Sequence, residues 1–232
     1  MSDPAEILEW DSMFFGHRIA RVQGPTVDQA LLEWCAEHRV DCLYYLANHD
    51  QSAIAAAERL HFALVDIRVT YERPLISLPG PPVDIREARP VDLERLKQIA
   101  ARSFTDSRFY ADPRFDRAQC DALYAAWIER DFVEGRARVL GAEYDGVLAG
   151  FVTCNYNGVT GNIGLIAVDA AAHGQGLGRR LVSAALHDFA ARGMTRSTVV
   201  TQGRNIASQR LYQNCGYLLR STALWYHRWF TP

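Results

Sequence analysis

Between Ile163 and Phe189 the chain passes from an apolar, partly β-branched run, Ile163-Gly-Leu-Ile-Ala-Val168, through a turn, Asp169-Ala-Ala-Ala-His-Gly-Gln-Gly176, into a segment of helical period. The apolar residues Leu177, Leu181, Val182, Ala185, Leu186 and Phe189 set that period. A buried strand that turns straight into an amphipathic helix is expected. Gly174, Gly176 and Gly178 take the β-carbons out of the junction, so successive backbone N–H groups can close on an anion at the positive end of the helix dipole. A tight turn with close strand–helix packing would use the same glycines. The run lacks the Lys-Ser/Thr ending of a P-loop, and its spacing is not the dinucleotide fingerprint.

A second motif follows at a fixed distance. The apolar strand Ser197-Thr-Val-Val-Thr201 leads to Asn205, then Leu211-Tyr212, then Gly216-Tyr217. Taken singly, Asn205 suits a helix N-cap and Tyr212 a core position. In this order the two motifs resemble those of the GNAT N-acetyltransferases. His173, Gly176 and Gly178 occupy the places of Arg/Gln-x-x-Gly-x-Gly/Ala, with His173 departing from the usual first residue, and the second stretch matches the pattern of Asn, a Leu-Tyr helix and a Gly-Phe/Tyr turn.

The resemblance implies an α/β (α+β) fold with a central mixed, mostly antiparallel sheet flanked by helices, and acetyl-CoA as co-substrate. It implies cofactor contacts at Ile166, Ala167 and Val168, where the fourth strand of such domains splays. Further contacts are expected at His173, Gly174, Gln175, Gly176, Leu177, Gly178 and Arg179 in the turn, and at Asn205. It also implies Tyr212 as general acid toward the departing thiolate, since a phenol of pKa ~10 is matched to a thiol leaving group. The general base is not identified: Ile163–Val168 contains no Glu, and Glu143, Asp106 and Asp169 remain candidates of which none is chosen.

With 232 residues, 49% of them hydrophobic, the chain is long enough to bury a substantial core. Its formal net charge of −2 and its lack of a dense Lys/Arg tract speak against a nucleic-acid partner. The acidic N-terminus has no apolar signal core and no apolar run is long enough to span a bilayer, so no membrane partner and a cytoplasmic location are expected. Cys35, Cys42, Cys120, Cys154 and Cys215 form no C-x-x-C pair and are expected as free, mostly buried thiols; no metal site is expected.

Pro79-Gly-Pro-Pro82 forbids helix and sheet ladder alike and divides the chain into residues 1–78 and 83–232. The second part should open with a strand at Val83-Asp-Ile-Arg-Glu-Ala, a helix begun by Pro90 and Asp92, and a second helix at Ala122–Phe132. A hairpin about Asp145-Gly146 should follow. The order expected for residues 83–232 is β, α, α, β, β, β, α, β, α, β, β. Within the first part, Phe62-Ala-Leu-Val-Asp-Ile-Arg-Val-Thr-Tyr-Glu-Arg73 aligns without gaps on Tyr217-Leu-Leu-Arg-Ser-Thr-Ala-Leu-Trp-Tyr-His-Arg228. Residues 1–78 are therefore expected as a truncated GNAT-like half that lacks a glycine cradle, packs against or shapes the substrate site, and binds no second CoA.

The acceptor must come from other residues, because the fold is shared by enzymes of many substrates. Leu8–His17, Ser103–Phe109, Tyr124–Glu129 and Val200-Thr-Gln resemble GNAT enzymes of nucleotide-linked amino sugars, which implies the amine of dTDP-4-amino-4,6-dideoxygalactose as acceptor. Arg108 and Phe109 fit that setting, since Arg can fork onto phosphate oxygens and an aromatic ring can stack on a base. Helix capping by Arg108 and core packing by Phe109 are equally open at this point. Also open are another small amine or a protein N-terminus as acceptor, an acyl-CoA sensor without turnover, and a homodimer.

Overall fold

The computed structural model describes residues 3–82 and 84–230. In chain order these form β1 (Ala5–Ile7), α1 (Glu9–Phe15), β2 (Ile19–Val22), α2 (Gln29–Glu37), β3 (Cys42–Asn48), α3 (Gln51–Arg59), β4 (Ala63–Pro74) and β5 (Ile85–Glu87). A 3-10 turn at Pro90–Asp92 leads to α4 (Leu93–Ser103), α5 (Arg108–Ala111), α6 (Arg117–Val133), β6 (Arg138–Tyr144), β7 (Val147–Asn157) and β8 (Thr160–Val168). Another at Ala170–Ala172 precedes α7 (Leu177–Ala191), β9 (Arg196–Gln202), α8 (Ile206–Asn214) and β10 (Leu218–Trp229).

All ten strands join one sheet in the order β1-β2-β3-β10-β4-β9-β8-β7-β6-β5. The pairs β2–β3 and β8–β9 are parallel and the other seven are antiparallel. The sheet is thus mixed and mostly antiparallel, as expected. Local chemistry explains several boundaries. Asp145 and Gly146, at φ +52° and +75°, make the tight turn between β6 and β7. Asp28, Asp50 and Asp116 cap α2, α3 and α6 by accepting backbone N–H groups of the first turn.

Three expectations are corrected. Val83 lies outside the described residues, and the strand there is confined to Ile85–Glu87. The second helix begins at Arg117, five residues before Ala122, because Asp116 caps it. The two closing strands are a single strand, β10. The place of the missing one, between β9 and β10, is filled by β4 from the other end of the chain.

That exchange gives the internal echo a physical meaning. β4 and β10 lie side by side about a local two-fold through the facing pair Arg68 and Ala223. Leu218 faces Glu72 as Ala63 faces His227, and Leu219 faces Tyr71 as Leu64 faces Tyr226. The preceding order is also repeated, β2-α2-β3-α3-β4 and β8-α7-β9-α8-β10.

Helices cover both faces. On one, α7 buries Leu181, Val182, Ala185, Leu186 and Phe189 against Val152, Ile163 and Val199. On the same face α2 and α3 cover β3 and Tyr226. On the other, α1, α4, α5 and α6 enclose a cluster rich in aromatics, among them Phe15, Tyr44, Phe109, Phe115 and Phe151. The five cysteines are free thiols, four of them buried. No helix among the described residues is long and apolar enough to cross a membrane.

Candidate active site

β8 and β9 pair only from Thr160/Arg196 to Ile163/Val199. Beyond that point β8 stays with β7 as far as Val168, while β9 continues beside β4 to Gln202. The cause is a bulge. The register between β7 and β8 shifts so that Thr153 opposes both Gly164 and Leu165, and the buried Thr153 Oγ1 accepts the Leu165 N–H at 2.7 Å. A β-carbon at residue 164 would sit 2.6 Å from Asn155 Nδ2 and 2.7 Å from Thr153 Oγ1, so glycine is required there. After the bulge, the backbone edge of β8 that faced β9 has no strand partner.

A cavity of about 480 Å³ fills the resulting gap. β8 lines it with Ile166, Ala167 and Val168, α8 and its cap with Asn205, Ser208 and Leu211, and α4 with the loop after it with Arg102, Thr105 and Asp106. Because α8 lies on one face of the sheet and α4 on the other, the cavity is lined from both sides.

At one end the cavity reaches the glycine turn. His173 and Gly178 line it, and the His173 ring bonds back to the Val168 carbonyl at 3.0 Å, tying the turn to the end of β8. Gly174 and Gly176 have φ of +78° and +75°, and Gly176 is the N-cap of α7. Gly174, Gln175 and Gly176 are exposed. Leu177 is in the core, so it can offer only its backbone to a ligand in the turn. Arg179 lines a different cavity, of about 890 Å³, between α7 and the Leu78–Pro82 segment. Asn205 Oδ1 caps α8 by accepting the Ser208 N–H at 3.0 Å.

Tyr212 lies behind the cavity wall, 3% exposed, its ring 6.1 Å from that of Tyr71 and 6.0 Å from that of Tyr217. Its hydroxyl is partnered by the side chain of Ser208, which does reach the cavity. Burial raises the phenol pKa, with Tyr217 and Cys215 adding to it, so the proton is held at neutral pH. Ser208 was not singled out from the sequence, although it lies one helical turn before Tyr212 and so shares its face.

The three carboxylates differ in position. Glu143 is in a salt bridge with Arg86 at 2.7 Å and does not line the cavity. Asp169 lines it but accepts the Ala171 N–H at 2.9 Å and pairs with Arg95 at 2.7 Å; the first bond, then Arg95, lowers its pKa. Asp106 lines the cavity and, among the described residues, is in no ion pair.

Arg108 and Phe109 lie on α5, two and three residues beyond Asp106. Phe109 is 2% exposed and packs on Phe15, Phe115 and Trp127, so its ring is already covered by protein and has no face left for a base. The Arg108 guanidinium rests against Trp225 at 4.1 Å, Phe109 at 4.4 Å and Tyr44 at 4.7 Å from the ring centroids. Among the described residues it forms no ion pair. Among the described residues no group of three or more His, Cys, Asp or Glu is placed to hold a metal ion.

This architecture has known counterparts. A model of the acetyltransferase (GNAT) family matches residues 93–217. The chain is similar to a dTDP-fucosamine acetyltransferase of Escherichia coli O6:H1, with 31% identity over 96% of this chain and 97% of that protein. It is also similar to the spore coat polysaccharide biosynthesis protein SpsD of Bacillus subtilis, 26% identical over 65% of this chain and 50% of the relative. Among solved structures, a GCN5-related N-acetyltransferase from Sphaerobacter thermophilus superposes with a TM-score of 0.69 at 14% identity. That match covers 98% of this chain and 76% of the other.

Proposed function

The chain belongs to the acetyltransferase (GNAT) family, and we propose that it transfers the acetyl group of acetyl-CoA to the amine of a nucleotide-linked amino sugar, with dTDP-4-amino-4,6-dideoxygalactose as the first acceptor to test. The observation that carries this reading is the cavity at the parting of β8 and β9, lined from both faces of the sheet. Co-substrate and acceptor can approach its centre from opposite sides. The sugar assignment draws on the similarity to the dTDP-fucosamine acetyltransferase along nearly the whole chain.

Acetyl-CoA supplies a thioester whose carbonyl is open to attack by an amine. The glycine turn and the first N–H groups of α7 suit its pyrophosphate, since Gly174 and Gly176 are exposed at the positive end of the helix dipole. The unpaired edge of β8 around Ile166–Val168 offers backbone groups to hold the pantetheine arm and polarise the carbonyl. Asp106 stands on the cavity wall to orient and deprotonate the incoming amine. Tyr212, directly or through Ser208, returns a proton to the sulfur as the C–S bond breaks.

Thiol release measured against dTDP- and UDP-amino sugars, polyamines and peptides tests the assignment. Turnover is expected with a dTDP-4-amino sugar. Preference for peptides or polyamines would discard the acceptor, and CoA binding with no turnover on any amine would discard the enzyme. Tyr212→Phe deletes one proton and little volume, so it should bind CoA normally and slow the chemical step by up to about 10²–10⁴-fold. A variant as fast as the parent when chemistry limits the rate would end the general-acid role.

A further inference from the structure

We propose that Arg68 and Arg108 together form an anion site that takes the diphosphate of the nucleotide-linked acceptor, on the sheet face opposite α7; this rests on the acceptor class proposed above. Arg68 was invisible as a site residue in the sequence. It lies at the centre of the sheet, facing Gln202 on β9 and Ala223 on β10. Val69, the next residue, points into the core under α7, so Arg68 projects to the other face. Trp225, two residues from Ala223, is on that face as well, and it is the ring against which Arg108 packs most closely.

The two guanidiniums are unbalanced. Among the described residues neither forms an ion pair. The Nε–H of each is buried with no hydrogen-bond partner. Burial and the nearby charge of Arg108 both lower the pKa of Arg68, so the two cations repel each other. The charge of Arg108 reaches Asp11 and Asp66, but among the described residues neither carboxylate forms an ion pair with Arg108 or Arg68. Asp66 bonds the Ile67 N–H and sits 3.8 Å from Arg204, and burial raises its pKa; burial likewise raises that of Asp11.

Two adjacent arginines with orphaned donors are costly unless an anion completes them. Packing against Tyr44 and Trp225 fixes the plane of the Arg108 fork, which suits bidentate contact with phosphate oxygens. The location fits the chemistry. Gln202, beside Arg68, ends the stretch of β9 that has left β8, so a diphosphate held there lies next to the gap where the amine must arrive.

Calorimetric titration of thymidine diphosphate, inorganic pyrophosphate and CoA into the parent, Arg68→Gln, Arg68→Lys and Arg108→Gln tests the pair. Thymidine diphosphate and pyrophosphate should bind the parent more weakly as salt rises. Arg68→Gln and Arg108→Gln should weaken both by about 10–100-fold, while CoA affinity stays within about twofold. Ligand-free Arg68→Gln should melt no lower than the parent, because it loses an unpaired charge, and pyrophosphate should no longer raise its melting temperature. Arg68→Lys keeps the charge and separates loss of the fork from loss of folding.

Unchanged affinity for thymidine diphosphate in the folded variants overturns the site. A parallel fall in CoA affinity also overturns it, since the arginines would then serve the phosphates of CoA. If no dTDP-sugar is acetylated while pyrophosphate binding still depends on Arg68, the acceptor assignment fails and the anion site stands. If a dTDP-amino sugar is acetylated with a KM indifferent to both arginines, the anion site fails and the acceptor stands.

Discussion

Asp66 and His227 are both buried, and burial moves their pKa values in opposite directions relative to neutral charge. The Asp66 carboxyl is pushed up from 3.8 to about 6, first by burial, against the pull of the Ile67 N–H and of Arg204. His227 is pushed down from 6.5 to about 4 by burial, even though its Nδ1 bonds Asp112 at 2.7 Å. Between pH 4 and 6 native Asp66 holds a proton that the unfolded chain has released, so this residue's contribution to stability is lost as pH rises through that window. Over about pH 6.5 to 4 the unfolded chain protonates its imidazole before the native protein does, so the contribution of His227 is lost as pH falls. The two trends offset each other. Asp66→Asn removes one of them, and should be more stable than the parent above pH 6 by roughly 3 kcal/mol, the gap closing near pH 4. Denaturant melts at pH 4, 5, 6 and 7.5 read this directly; a stability difference constant across that range would show that the Asp66 carboxyl is not perturbed by burial. Neither residue announces itself in the sequence, because an Asp within a strand and a His near the C-terminus acquire their environments only through long-range strand pairing.

At the scale of elements, the junction of β8 and α7 was the most legible part of the chain, because its determinants are local. A β-branched run, glycines in the turn and a 3.6-residue period follow one another in the sequence, and the structure joins β8 to α7 in that order. The Asp145-Gly146 turn was legible for the same reason. The gap that makes the site was less so, since it depends on a bulge at Gly164 whose need for glycine arises from Thr153 and Asn155 on another strand. Ser208 and Arg68 are not marked as site residues by the sequence, and nothing in it selects Asp106 over Glu143 and Asp169, because the elements carrying them meet only when the sheet closes. At the turn itself a sharp prediction is available. Gly176 has φ +75° with nothing within 4 Å of a built β-carbon, so a side chain there would strain the backbone and project ahead of the helix terminus without meeting protein. Gly176→Val should therefore cost about 1–2 kcal/mol in stability and weaken CoA binding by tenfold or more, with Gly176→Ala less affected. Calorimetry on the folded variants checks this, and equal CoA affinity in Val, Ala and parent proteins would move the pyrophosphate away from the turn.

The whole molecule is organised by the exchange of β4 and β10. Each lies at the C-terminal end of a β-α-β-α-β series, yet each is flanked on both sides by strands of the other series: β4 lies between β9 and β10, and β10 between β3 and β4. The internal echo in the sequence foretold two similar strands; it did not foretell that they would cross, because strand order is set by pairing energies summed over the sheet. We propose that the division near Pro79–Pro82 separates two similar series and not two independently stable bodies. Without β4, the segment from Asp84 onward would expose the edges of both β9 and β10, with Val69 and Tyr71 missing from the core beneath α7 and α8. Such open edges aggregate or pair with other chains. Residues 84–232 expressed alone should accordingly be insoluble or lack a cooperative melt, whereas residues 1–83 and 84–232 produced together should assemble as a one-to-one complex that binds CoA. Arg68, at the local two-fold, reaches the acceptor side only in that complex, so thymidine diphosphate binding should return with it. Size-exclusion chromatography, thermal melts and CoA titration distinguish the outcomes: a monomeric 84–232 fragment that melts cooperatively and binds CoA like the full chain would show that β4 is dispensable to the catalytic part.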